Sequence, residues 1–236
     1  MNKETKRLNR ISNYYFNKQY EIDQTLSNFR YRIIKKFFKG RTCLEIGVAD
    51  GNITKNLVND FKELTVVDGS KYLLSKIKKF KNITKINELI ENLDTKEKFD
   101  TIILSNVLEH VKHPNTVLKK IKKLLNNSGR FIISVPNADS IHRLVAVEMG
   151  ILKKKTSLND TDKSLGHRRV YTVEKLKFLL NKQNFKIIDF KGIFLKVLSN
   201  KQIDKYFDKQ MIDGFNKIGK KLPQLSAEIC FICTKK

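Results

Sequence analysis

The stretch Cys43-Leu44-Glu45-Ile46-Gly47-Val48-Ala49-Asp50-Gly51 decides the fold. A short apolar run ends in an acidic residue and two glycines. The chain then opens into Asn52-Ile53-Thr54-Lys55-Asn56-Leu57-Val58, a helical pattern. Strand, glycine turn and helix in this order form the nucleotide-binding corner of a doubly wound sheet. A second apolar run, Leu64-Thr65-Val66-Val67, delivers Asp68 to the carboxyl end of the next strand, where it can accept hydrogen bonds from a ribose.

The spacing of the glycines narrows the ligand. A dinucleotide fingerprint runs G-x-G-x-x-G, so that a pyrophosphate sits on the helix N-terminus. Here the pattern is Gly47-x-Ala49-x-Gly51 with Glu45 two positions before it, and no third glycine at the right offset. That fits a cofactor without phosphate that carries an ammonium and a sulfonium, Glu45 suiting the amine directly or through water. No Gly-Lys-Ser/Thr phosphate loop follows.

Outward from this corner the chain alternates strands and helices, which predicts an α/β fold with a doubly wound, mostly parallel, seven-stranded sheet. Apolar positions at helical spacing (Leu26, Phe29, Ile33, Phe37) predict a helix closing at Gly40 as its C-cap. Strands are expected at Thr42–Ile46, Glu63–Val67, Thr84–Asn87, Phe99–Leu104, Arg130–Val135, Phe185–Phe190 and Ala227–Cys233, with helices around Ser70–Phe80, Asn115–Leu125 and Thr172–Asn181. The whole chain of 236 residues reads as one domain. Residues 1–39 are a helical N-terminal cap, 40–135 the cofactor half, and 136–236 the substrate half. A polar stretch at 150–166 is a candidate lid.

Composition sets outer limits. No apolar run approaches the roughly 20 residues of a membrane span. The first residues lack the apolar core of a secretory signal. Cys43, Cys230 and Cys233 lie in apparent strands, the last two facing opposite ways, so they read as core thiols in a reducing cytoplasm rather than a metal or redox motif. The net charge of +24 has two readings: lysines spread over solvated faces, or an acidic partner such as nucleic acid. No aromatics interleave with Lys119, Lys120, Lys122 and Lys123 to make a stacking platform.

Four segments in order, Leu44–Gly51, Val67-Asp68, Phe99–Val111 and Ser128-Gly129-Arg130, resemble the class I S-adenosylmethionine-dependent methyltransferases. Val107-Leu108-Glu109-His110-Val111 resembles the small-molecule and sugar-modifying branch that includes ubiquinone-type O-methyltransferases. The resemblance implies that Gly47, Val48, Ala49 and Gly51 wrap the methionine part of S-adenosylmethionine. It also implies that Asp68 holds the ribose hydroxyls, Gly69 lets adenosine approach, and Glu88, Leu89, Ser105 and Asn106 line the remainder. Ala49 stands where the family has glycine, and its Cβ is tolerated there with a negative φ.

Ligands bind such sheets beyond the carboxyl ends of the strands. His110, His113, His142 and His167 all map to that rim, and Arg143, Arg168 and Arg169 gather there in a chain that elsewhere uses lysine. Guanidinium binds carboxylate or phosphate bidentately. Asn137, His142, Arg143, Arg168, Arg169 and Tyr171 are therefore candidate contacts for an anionic small acceptor, such as a nucleotide-linked sugar of polysaccharide biosynthesis. The competing reading has those arginines capping helices or pairing with Glu109 and Asp139. His167, then His110, is the candidate base for an oxygen nucleophile. Tyr14 and Tyr15 are candidates to close the pocket. No resident metal is expected, and the chain reads as a monomer or homodimer. A nucleic-acid methyltransferase and a non-catalytic S-adenosylmethionine-binding protein are the rival readings.

Overall fold

The computed structural model describes residues 3–12 and 20–236. Seven strands form one sheet: β1 (Thr42–Ile46), β2 (Glu63–Val67), β3 (Ile83–Ile86), β4 (Phe99–Ser105), β5 (Leu125–Pro136), β6 (Phe185–Ile193) and β7 (Glu228–Lys235). Their order is β3-β2-β1-β4-β5-β7-β6. β1 to β5 pair in parallel, while β7 runs antiparallel between β5 and β6. Strand order reverses between β1 and β4, so a crevice opens beyond their carboxyl ends.

Apolar runs such as Ile102-Ile103-Leu104 make sense in this setting, because a parallel strand covered on both faces must be apolar on both. On one face Leu44, Ile102, Phe131 and Cys233 pack under α5 (Pro114–Leu124) and α8 (Val173–Lys182). On the other, Cys43, Ile103, Ile132 and Cys230 pack under α2 (Glu21–Ile34), α3 (Thr54–Asp60) and α4 (Lys71–Lys76). The cysteines are buried, free, and divided between the two faces. Helix α1 (Lys3–Ser12) lies across the carboxyl end of the sheet. The remaining helices are α6 (Ile141–Glu148), α7 (Asp160–Ser164), α9 (Asn200–Tyr206) and α10 (Lys209–Lys221).

Several local expectations are corrected. Gly40 does not cap a helix: α2 ends at Ile34, and a single 3-10 turn (Lys35–Phe37) follows. Gly40 adopts φ 70° just before β1, where a Cβ would run into the Asp100 side chain. Helix α4 is shorter than its apolar pattern, with Ser70 accepting from the Leu73 amide as its N-cap. β5 begins at Leu125, directly after α5, rather than beyond Ser128-Gly129. The 150–166 stretch contains α7 and is tied down by Arg143, which donates to the Lys155 carbonyl at 2.8 Å and to the Ser157 carbonyl. Tyr14 and Tyr15 lie outside the described residues.

Candidate active site

A cavity of about 970 Å³ occupies the crevice at the β1–β4 switch point. Its floor is the turn after β1. Gly47 (φ 80°) donates its amide to the Val67 carbonyl at 2.8 Å, and a Cβ there would strike the Val107 side chain. Gly51 (φ 77°) closes the turn by donating to the Val48 carbonyl at 2.8 Å. Ala49 departs from expectation: its φ is +45°, so a methyl-bearing residue occupies the left-handed region that favours glycine. The fixed turn on either side holds it there.

Asp68 stands at the mouth of β2 as the topology requires. Its Oδ2 accepts from the Val48 amide at 3.0 Å and its Oδ1 from the Ser70 amide at 2.7 Å, while burial raises its pKa. Gly69 is sandwiched: a Cβ would lie 2.6 Å from Leu8 of α1 and 2.7 Å from Leu89. Ser105 and Asn106 face the cavity from β4, with the Ser105 hydroxyl 2.9 Å from that of Ser134. Glu88 accepts from the Leu89 amide at 2.8 Å and lines the wall with it.

Among the cofactor candidates, Gly47, Ala49, Asp68, Gly69, Glu88, Leu89, Ser105 and Asn106 line the cavity, whereas Glu45, Val48 and Gly51 do not. Glu45 lies beneath the turn, where its Oε2 accepts from the Thr54 hydroxyl at 2.7 Å. Burial pushes its pKa up to about 8. It buttresses the turn through α3.

The histidine–arginine rim resolves into two sets. His110 lines the cavity, and its ring meets that of His167 edge-on, with centroids 4.7 Å apart. Burial, with the nearby charges of His167 and Arg7, drives His110 down to about 3, so it is neutral. Behind it, His167 Nδ1 lies 2.9 Å from Asp162 Oδ1. Burial alone would raise Asp162, but the hydrogen bonds from His167 and Asn159 and the charge of Arg143 outweigh it and hold the group at about 2. Asp162 is thus a carboxylate that can accept from Nδ1, the arrangement that leaves Nε2 of the imidazole with its lone pair. Glu109 is buried beside this pair; among the described residues neither of its oxygens has a hydrogen-bond partner, and burial lifts it to about 7. Glu109, His110 and His167 each bring one ligand-type atom within 4.8 Å of the others, a grouping that could hold a metal ion.

The arginines are occupied as clasps. Arg143 is buried and donates to Asp162 Oδ2 at 3.0 Å. Arg169 donates to the Val111 carbonyl at 2.6 Å. Arg168 alone of the three lines the cavity, and it bridges the His110 carbonyl (2.9 Å) to Glu4 (2.8 Å). Asn137 is also buried, donating to the carbonyls of Gln224 and Ser226, both at 2.8 Å. Tyr171 is buried with its hydroxyl 3.4 Å from the Leu108 carbonyl. His142 stands apart from the cavity. Sequence spacing did not single out α1, yet Arg7, Leu8 and Ile11 roof the cavity, and Arg7 donates to the Gly166 carbonyl at 3.0 Å. The amphipathic pattern of α1 was the available signal.

A glycine turn, a carboxylate at the end of β2 and a roofed crevice on this sheet order define an S-adenosylmethionine-dependent methyltransferase. The family model described as a methyltransferase domain matches residues 17–189, and the chain belongs to that family. Among curated proteins it is 25% identical to a ubiquinone biosynthesis O-methyltransferase of Rickettsia typhi, over 96% of each chain. The fold matches that of the plantazolicin methyltransferase BamL, solved with a triazolic desmethylPZN analog and S-adenosylhomocysteine (TM-score 0.61, 20% identity, 99% and 98% of the two chains). It also matches a possible histamine N-methyltransferase of Thermotoga maritima (TM-score 0.63, 17% identity, 98% and 97%). Among the described residues no helix is long and apolar enough to cross a membrane.

Proposed function

We propose that the chain methylates a hydroxyl of a small acceptor held where His110, with His167 behind it, lines the cavity. The observation that carries this reading is the pair of imidazoles at the cavity wall: His110 lines it, and behind it His167 has its Nδ1 2.9 Å from the Asp162 carboxylate. A hydroxyl must lose its proton as it attacks carbon, and an imidazole lone pair near neutral pH is suited to accept it. An amine acceptor would not need such a pair. The named activity of the Rickettsia relative is at oxygen, in agreement.

The residues fit S-adenosylmethionine. Gly69, pinched between Leu8 and Leu89, leaves a slot that a Cβ would fill, and the remaining lone pairs of Asp68 suit a ribose diol. The turn at Gly47 to Gly51 presents backbone, not side chain, to the amino-acid part. When bound, the cofactor supplies an electrophilic methyl on sulfonium. The chain orients the acceptor oxygen toward it, accepts the proton and excludes water under α1. We place the reaction in a reducing cytoplasm, in keeping with three buried free thiols, and its acceptors among small metabolites, glycan precursors included.

The test is a turnover screen with methyl-labelled S-adenosylmethionine against hydroxylated small molecules, matched amines and transfer RNA, with the labelled atom identified by mass spectrometry. Label on oxygen of a small acceptor is the expected result. Label on nitrogen or in RNA, or binding without turnover, would replace it with one of the rival readings.

A further inference from the structure

The Glu109 carboxylate lies bare beside the two imidazoles. The residue is 1% exposed, and among the described residues neither of its oxygens has a hydrogen-bond partner. His110 Nε2 lies 3.9 Å from Oε1, too far for a hydrogen bond. The guanidinium groups of this region are engaged elsewhere: Arg7 and Arg168 turn to Glu4, and Arg143 to Asp162. A buried carboxylate with nothing on either oxygen is costly, which points to a group from outside that completes it. The chemistry of the neighbours says which group. Glu109, His110 and His167 bring a carboxylate oxygen and two imidazole nitrogens within 4.8 Å of one another.

These side chains come from two segments that are locked together. Glu109 and His110 follow β4, and His167 follows α7. The Arg168 amide donates to the Glu109 carbonyl at 2.9 Å, and Arg168 Nε donates to the His110 carbonyl at 2.9 Å. The Asp162 carboxylate, 2.9 Å from Nδ1 of His167 and braced by Arg143 at 3.0 Å, leaves Nε2 as the free nitrogen of that ring. A carboxylate behind a histidine in this way fixes the tautomer and orientation of a metal-bound imidazole. Bonds of about 2.0–2.2 Å to one ion set tetrahedral ligand atoms about 3.3–3.6 Å apart, which small turns of these side chains reach. Two imidazoles and a carboxylate suit zinc and its neighbours in the first transition row, whereas magnesium and calcium prefer oxygen alone. A set of this size leaves a coordination position open.

We propose that Glu109, His110 and His167 bind a divalent transition-metal ion, with Asp162 orienting His167 from behind. The role of the ion rests on the acceptor site placed above: His110 lines the cavity, so the ion borders the acceptor and its open position takes the hydroxyl. A hydroxyl on such an ion is acidified. Its proton leaves to water, its oxygen bonds to the methyl carbon, and the electron pair of the breaking carbon–sulfur bond stays on sulfur. The imidazoles that accept the proton in the ion-free chain are ligands in the loaded one.

The test uses the full chain without a histidine tag, stripped with a chelator and titrated with Co2+, whose visible absorption reports its nitrogen and oxygen ligands. A single equivalent should bind with Kd below about 10 μM. Zn2+ should displace it, and excess Mg2+ should not. Glu109→Gln and His167→Asn should each weaken Co2+ binding about tenfold or more, and Asp162→Asn about ten- to a hundredfold. His142→Gln, away from the cavity, should bind Co2+ as the unaltered chain does. S-adenosylhomocysteine affinity checks folding, and a ligand variant that loses it is replaced by the other or by His110→Asn. Failure of the unaltered chain to bind an equivalent of Co2+ overturns the proposal. So does binding that the folded ligand variants leave undiminished, which would be binding at the surface. A single Co2+ site in a chain that labels nitrogen or RNA would sink the hydroxyl reading and leave the metal site standing. Oxygen methylation by a chain with no Co2+ site would do the reverse.

Discussion

Asp162 Oδ1 lies 2.9 Å from Nδ1 of His167, five residues further along the chain. The second oxygen of Asp162 is held by Arg143 at 3.0 Å, so the carboxylate cannot rotate away. Orienting a histidine through Nδ1 is what allows Nε2 to accept a proton. His167→Ala is therefore expected to lower kcat by about a hundredfold or more, the usual worth of a positioned base. Asp162→Asn should lower it in the same direction. Calorimetry with S-adenosylhomocysteine should change little in either variant. Unaltered kcat in His167→Ala would assign proton transfer to another group.

Asp68 is the pivot of the cofactor half. Its two oxygens fix the Val48 and Ser70 amides, so its removal loosens the turn as well as the proposed ribose contact. Asp68→Ala should weaken S-adenosylhomocysteine binding by about 2–4 kcal/mol, roughly 30-fold to 1,000-fold, given the loss of charge-assisted bonds. Asp68→Asn should lie between. Isothermal titration measures both, and affinity within about twofold of the unaltered chain would dissociate Asp68 from the site.

The α1 roof is fastened by polar clasps. Arg168 reaches Glu4 at 2.8 Å and Arg7 reaches the Gly166 carbonyl at 3.0 Å, while Ser12 pairs with Ser70 at 2.8 Å. Both Glu4 and Arg168 keep part of their side chain in solvent, so the pair is worth only about 0.2–1 kcal/mol. Glu4→Gln should accelerate S-adenosylhomocysteine release about two- to fivefold in stopped-flow experiments. The difference from the unaltered chain should shrink at high salt.

The cofactor half was legible because its signals are local. Glu45, Gly47 and Gly51 lie in one short turn, and Asp68 ends the very next strand. The acceptor side was not, because its contacts join distant segments and often end on backbone. Arg169 was readable as an anion ligand, yet its partners are the carbonyls of Leu108, Val111 and Lys112, which leave no trace in sequence. His167 and Asp162 are near neighbours in sequence, but their pairing depends on the turn after α7. Helices α9 and α10 went unread, although Ser199 and Asp208 are N-caps of the ordinary kind.

Ala49 stores strain where the family uses glycine. With φ at +45°, its Cβ costs about 1–2 kcal/mol, against which glycine would lose about 0.5–1 kcal/mol in chain entropy. Ala49→Gly should therefore stabilise the fold by up to about 1.5 kcal/mol in urea unfolding, with no loss of cofactor affinity. Ala49→Val should destabilise it, since a β-branched residue tolerates this region least.

Glu45 gives the turn a pH dependence of defined sign. Burial is the main cause of its rise from 4.5 to about 8, with the charges of Asp68 and Asp50 adding to it, and the Thr54 hydrogen bond only partly offsets this. The folded state therefore binds the proton more tightly than the unfolded chain. That contribution to stability is complete below about pH 4.5 and is lost as the pH rises through about 8. Glu45→Gln carries no charge and can still accept from Thr54. The melting temperature of the unaltered chain should fall relative to Glu45→Gln between about pH 5 and pH 8.5, with the variant the more stable at the upper end. Parallel melting curves across that window would mean that Glu45 ionises without cost, and that a counter-charge reaches it beneath the glycine turn.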